Sequence, residues 1–253
     1  MRLATSLPVV MYVAVLTACG HAPVATAPVT TGTPPAELRI PGLDEHRNNP
    51  RFLADRIYVL GRSATRIAYV KDPADEACGC YTPEIVVLDL TTNDVVWKDS
   101  YDSGELDPKN TSQLKNLDQL WRARGADWEH HIAEHGVTLD RAAAMHAIPT
   151  GGAAIPRVEI RSEKVGESSP EGYAHLTAYS VDLVSSSATT LIAMSRSPVS
   201  EYNLLDVSVL GYVPLLGDPR VAVLVLEERR GWEGTPTVMR LRFVGADIHD
   251  ALR

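Results

Sequence analysis

Arg56-Ile57-Tyr58-Val59-Leu60 and Arg66-Ile67-Ala68-Tyr69-Val70 flank a short connection, Gly61 to Thr65, and this stretch decides the fold. Both runs are β-branched and aromatic, of strand length, and joined across a glycine, which specifies a β-hairpin. Outward from it, a polar loop over 71–83 leads to Glu84-Ile85-Val86-Val87-Leu88-Asp89-Leu90. The turn Thr91-Thr92-Asn93-Asp94 and a short strand, Val95-Val96-Trp97, follow. The same order returns once, about 150 residues on: Val209-Leu210-Gly211 leads to Arg220-Val221-Ala222-Val223-Leu224-Val225 through a longer turn at Pro214 to Pro219.

Between the two hairpins the apolar period changes. Leu114, Leu117, Trp121, Trp128 and Ile132 recur at spacings that share one helical face, which predicts a helix from about residue 112 to 135, C-capped by Gly136. Gly125 is a candidate kink, and 140–145 a candidate second helical turn before the break at Pro149-Thr150-Gly151-Gly152. From residue 157 strands dominate, expected over 157–165, 173–183, 189–194, 203–213, 220–227 and 237–244. Met239, Leu241 and Phe243 alternate with Arg240 and Arg242, so one face of that strand is expected to be buried and one wet. The expected fold class is mainly β with one helical segment, an α+β body of antiparallel sheets over 38–253.

Residues 56–97 resemble a single blade of a TolB-type β-propeller, in which a run like Arg66–Val70 is followed by one like Glu84–Thr92. A propeller needs four or more tandem blades, and the lone echo at 209–225 is too distant for a 40- to 45-residue repeat. Propeller-blade-like hairpins without a closed propeller are therefore expected. The strand–glycine–strand pattern at both ends, with Gly231-Trp232-Glu233-Gly234 near the C-terminus, is similar to that of uncharacterised secreted bacterial proteins. That similarity implies no function.

At the N-terminus, Arg2 precedes a mostly apolar run that ends in Leu16-Thr17-Ala18-Cys19. A basic residue, a short apolar core and small residues before a cut describe a secretory signal, and the run is shorter than the roughly 20 residues a spanning helix needs. The last four residues resemble the lipobox of bacterial lipoproteins. The resemblance implies cleavage after residue 18, acylation of Cys19 and a lipid-held location in the cell envelope, with Gly20 favouring the outer membrane. Several acyl chains on one cysteine would anchor stably, which a single chain does not. A non-lipidated signal cut near Ala18 is the alternative. Residues 19–37, rich in Pro, Thr and Ala, read as a tether.

Loss of residues 1–18, whose only charged side chain is Arg2, takes the formal charge from −8 to −9. An acidic chain without a basic cluster offers no counterion release, so nucleic acid is not an expected partner. Two Phe against nine Tyr and many aliphatics suggest a core built on aliphatic strands.

Few residues could carry chemistry. His131-Ile132-Ala133-Glu134-His135 matches the H-x-x-E-H of inverzincins, where two His one helical turn apart share a zinc and the Glu acts on its bound water. Zinc, His131, His135 and the catalytic base Glu134 form the alternative reading, a zinc-dependent hydrolase. A third ligand would be needed, and neither Glu163 nor Glu201 sits in a recognisable helical motif. The plainer reading is a solvated helix end where His meets the negative pole of the helix dipole. Cys78-Gly79-Cys80 is expected to close a disulfide in an oxidising envelope, with a free or intermolecular thiol and a redox or soft-metal role as the alternatives. Asp72, Asp75 and Glu76 lack the alternating order of a calcium loop, and Ser169 and Ser195 lie in no Gly-x-Ser-x-Gly elbow. The expectation is a non-catalytic binding or structural module without a cofactor, held to the membrane by its lipid and recognising an envelope protein or glycan.

Overall fold

Strand β2 (Arg56–Arg62) and strand β3 (Arg66–Asp72) form the expected hairpin, and β4 (Glu84–Asp89) and β5 (Asp94–Ser100) extend it as an antiparallel meander. The computed structural model describes residues 32–41, 43, 49, 51–74, 81–102, 114–148, 157–165, 174–184, 189–196, 204–217, 220–231 and 237–247. The other elements are β1 (Phe52–Ala54), α1 (Leu117–Glu134), β6 (Thr138–Leu139), β7 (Arg157–Val165), β8 (His175–Val184), β9 (Thr189–Arg196), β10 (Leu204–Pro214), β11 (Arg220–Arg230) and β12 (Thr237–Asp247). Three open sheets result, ordered β5-β4-β3-β2-β6, β1-β12-β11-β10 and β7-β8-β9. The fold is mainly β with one helix, no sheet closes into a barrel or propeller, and β1 with β12 is the parallel exception to antiparallel pairing among the described residues.

The sheets stack because their central strands are apolar on both faces. On β3, Ile67 and Tyr69 face the four-stranded sheet while Ala68 and Val70 lie under α1. On β11, Ala222, Leu224 and Leu226 face the five-stranded sheet while Val221, Val223 and Val225 meet the three-stranded one. Unbroken apolar runs mark strands sandwiched in this way. The layers therefore run α1, five-stranded sheet, four-stranded sheet, three-stranded sheet.

The helix holds the face read from its periodicity, with Leu117, Leu120, Trp121, Trp128 and Ile132 buried. It begins at Leu117 rather than near 112 because Asn116 caps it, its side chain accepting from Gln119 N at 3.0 Å. It runs through Gly125 without a break, and the Trp121 indole packs on the bare glycine, 2.9 Å from where a Cβ at 125 would stand. Gly136, at φ +70, ends it. Residues 140–145 do not make the second helical turn: Asp140 N donates to Leu60 O at 2.9 Å and Ala142 N to Asp140 Oδ1 at 3.0 Å, so those groups serve a sheet edge and a turn.

The repeated glycines share a geometric reason. Both Gly61 and Gly211 follow a register shift in their strand, and a Cβ on either would come within 2.4 Å of Thr138 O or 2.5 Å of His146 O. The segment after the helix is laid against both hairpins at these two points, as β6 beside Gly61 and as the bridge from His146 to Tyr212. Arg62 pins the corner, donating from Nη1 to Pro214 O at 2.6 Å and from Nε to Asp140 Oδ2 at 3.1 Å.

The second face of β12 is not simply wet. Arg240 turns inward to a buried carboxylate, and Arg242 lies over the Tyr179 ring, its guanidinium beside Glu227 and donating to the Tyr179 hydroxyl. Tyr179 in turn donates to Glu227 Oε1 at 2.5 Å. Burial alone would raise the Glu227 pKa, but bonds from Tyr179 and Arg229 outweigh it and hold the carboxylate below its ordinary range. The cluster fastens the three-stranded sheet to the four-stranded one.

Candidate functional site

Side chains alternate along β2, so Arg56, Tyr58 and Leu60 share the face that α1 covers. The helix covers Leu60 and Val70 but starts at Leu117, and beyond its first turn this face opens into a cleft of about 700 Å³. Its floor is Arg56, Tyr58 and Asp72, the last paired directly opposite Arg56 across the hairpin. Tyr81, Pro35 and residues 115–118 at the helix start form its walls. Pro35 is buried, so the chain arriving from the N-terminal side lies against the body before Leu38 donates to Ile57 O at 2.7 Å.

The cleft rests on Asp55, which is fully buried between β1 and β2. Its Oδ1 accepts from Arg240 Nη1 at 3.0 Å and from Ala74 N at 2.9 Å; its Oδ2 accepts from Leu241 N at 2.9 Å and pairs with Lys71 Nζ at 3.1 Å. Arg240 Nη1 also reaches Ala74 O at 3.1 Å. A buried carboxylate with every lone pair engaged is tolerated where an unpaired one is not. Through Lys71 and Ala74 it fixes the strand end that carries Asp72.

The electrostatics of the cleft are unusual in one residue. Burial pushes the Asp72 carboxyl up to about 6; Arg56 opposes the shift, and Asp55 and Glu37 add to it. The Tyr58 phenol is raised, first by burial and then by Glu37 and Asp72, and the Tyr81 phenol is raised by burial and by Asp72. Both phenols therefore stay protonated; the Tyr58 oxygen takes a hydrogen bond from Arg56, and the Tyr81 hydroxyl is buried behind its ring. Asp72 accepts hydrogen bonds as a carboxylate and becomes a donor when modest acidification protonates it.

The residues singled out from sequence lie elsewhere. His131 and His135 sit at the exposed end of α1, where their rings flank Trp97 with centroids 5.2 and 6.3 Å away. Glu134 lies 2.9 Å from His131 Nδ1 and 3.2 Å from His130 Nε2, and the hydrogen bond with His131 leads in lowering its pKa. Among the described residues no group of three or more His, Cys, Asp or Glu is placed to hold a metal ion. Glu163 is on β7, in the outer layer opposite the helix, and Ser195 is on β9. Cys19, Cys78, Cys80, Asp75, Glu76, Ser169 and Glu201 lie outside the described residues.

Of the acidic trio, Asp72 is among the described residues, and it lies in the cleft. Arg56, Tyr58 and Tyr81 were not singled out from sequence. The available signal was Arg56-x-Tyr58, polar-tipped side chains at alternate positions where an apolar strand begins. Set beside known proteins, the chain matches no family model, no curated protein and no solved structure. No helix of the described residues is long and apolar enough to cross a membrane.

Proposed function

We propose that the chain is a lipid-anchored lipoprotein of the bacterial cell envelope, carrying a non-catalytic binding module on a short tether. The observation that carries this reading is the sequence Leu16-Thr17-Ala18-Cys19 at the end of a short apolar run, followed at once by a Pro- and Thr-rich segment. Acylated Cys19 is the membrane attachment, and Gly20 directs the protein to the outer membrane, facing the periplasm or the surface. The partner is an envelope protein or glycan.

Two features of the body support a binding role. The cleft has the size of a small-ligand site, and its Asp72 keeps a carboxylate where burial disfavours the charge, the kind of cost that binding sites carry. Pro35 lines the cleft, which puts it beside the chain segment that leads to the anchor.

Metabolic labelling with a fatty acid tests the anchor. Wild-type protein takes up label and fractionates with membranes, whereas Cys19→Ser takes up none. Equal labelling of the two would overturn the reading and the location with it.

A further inference from the structure

We infer that the cleft between Tyr58 and Tyr81 is a saccharide site, built to hold a short stretch of neutral glycan. The inference rests on reading the body as a binding module and supplies the class of its ligand.

Charge is the first guide. Arg56 and Lys115 are matched by Asp72 and Asp118, so the lining has no excess of either sign. A phosphate or polyanion site would show a surplus of Arg or Lys, and a site for a cation a surplus of Asp or Glu. Balanced charge with dense hydrogen-bonding capacity suits a ligand that is uncharged and polar.

The kind of polar group is the second. A sugar hydroxyl both donates and accepts, and the lining offers it both: Asp72 accepts, Lys115 and the remaining N–H groups of Arg56 donate, and the Tyr58 phenol, which takes a hydrogen bond from Arg56, donates its own proton. The Tyr58 and Tyr81 rings add rigid amphipathic surface, polar at the tip and apolar on the face, which fits the alternation of hydroxyl and C–H groups on a pyranose ring.

Position in the fold is the third. The cleft lies over the face of the β2–β3 hairpin, bordered by Leu53 and Ala54 of the edge strand β1, and its polar lining consists of side chains, those of Arg56, Tyr58, Asp72, Tyr81 and Lys115 among them. An extended peptide gains affinity by adding a strand to an open edge, and here the contact groups are side chains. The site is also held firmly, since Asp55 fixes Ala74 and Lys71 on either side of Asp72.

Calorimetric titration of the purified full chain in detergent, with chitotetraose, cellotetraose and maltotetraose as separate probes, tests the inference. At least one is expected to bind with a Kd of about 1 mM or tighter. Tyr58→Ala and Tyr81→Ala should each weaken it at least tenfold, and Leu191→Ser, on the outer sheet, should leave it unchanged. Should either alanine variant lose the wild-type circular dichroism spectrum, Tyr58→Phe and Tyr81→Leu replace it, with a loss of at least threefold expected. No binding of any of the three sugars would overturn the proposal, as would affinity undiminished by every folded tyrosine variant. Binding of inorganic phosphate or of an envelope peptide in their place would overturn it too. Labelling at Cys19 reads the anchor alone, so an acylated chain that binds no glycan loses this inference only.

Discussion

Replacing Asp72 by Asn should make the protein more stable at neutral pH, and the gain should shrink on acidification. The Asp72 carboxyl titrates near 6 in the folded chain against an ordinary 3.8, so the native state holds its proton more tightly than the unfolded one. Between those two values the folded state keeps a proton that the unfolded state has released, and stability falls as pH rises through that window. Above it the cost is complete. Roughly two decades of proton affinity at 1.36 kcal/mol per decade set a ceiling of about 3 kcal/mol. Asp72 is only partly buried and solvent screens its charge, so about half of that, ~1.5 kcal/mol, is the expected gain from Asp72→Asn at about pH 7.5. At about pH 4.5 roughly a third of it should remain. Urea melts followed by tryptophan fluorescence, run on both proteins at both pH values, give the two differences directly. A variant less stable than wild type at neutral pH would refute the reasoning, and so would an equal gain at the two pH values.

Asp55→Ala should cost about 3 kcal/mol or more in the same melts, because it takes the carboxylate from Arg240 and Lys71 and leaves the Leu241 N–H beside an emptied site; a loss under about 1 kcal/mol would show that these groups rehydrate freely. Gly61→Ala brings a Cβ to 2.4 Å from Thr138 O and should push β6 off the sheet at a cost of about 1–3 kcal/mol. Faster hydrogen exchange at Asp140 N, which bonds Leu60 O, is the local sign to look for, and unchanged exchange there would count against that contact. Cys78 and Cys80 should be bonded to each other in protein isolated from the envelope without reductant, and alkylation with mass spectrometry decides it: two alkylated thiols would remove the clip. Closing so short a loop restrains the unfolded chain little, so Cys78→Ser with Cys80→Ser should cost only about 1 kcal/mol.

The strands were legible because local chemistry sets them. The β-branched runs of β2, β3 and β4 and the helical spacing of Leu117, Trp121, Trp128 and Ile132 need no distant partner to be read. The stacking of three sheets was not, since a run such as Val221–Leu226 states that both faces are covered and not by what. Arg240 and Arg242 read as a solvated face because a sequence does not show that each has a buried carboxylate waiting for it. The floor of the cleft was hidden by one irregularity. Counted outward from the turn, Arg56 would stand opposite Pro73, but the shift between Val59 and Gly61 brings it opposite Asp72. The histidine motif shows the reverse case, a pattern plain in sequence whose side chains the fold leaves at an exposed helix end around Trp97.

The pairing of β1 with β12 sets a clock on assembly. The meander from β2 to β5 closes on near neighbours and can form as soon as it is made, but two of the groups that satisfy Asp55 belong to Arg240 and Leu241, 185 and 186 residues further on. At 5–20 residues per second, synthesis takes roughly 10–40 s to deliver them. Through that interval the Asp55 carboxylate has Lys71 and the Ala74 N–H beside it and otherwise only water, and the inner face of the first hairpin, Ile57, Val59, Ile67 and Tyr69, has no opposing sheet. The last strand is thus the one whose arrival lets the first sheet go dry, and a chain that ends before Thr237 presents an apolar face with a charged residue at its border, a surface that chaperones and proteases are built to notice.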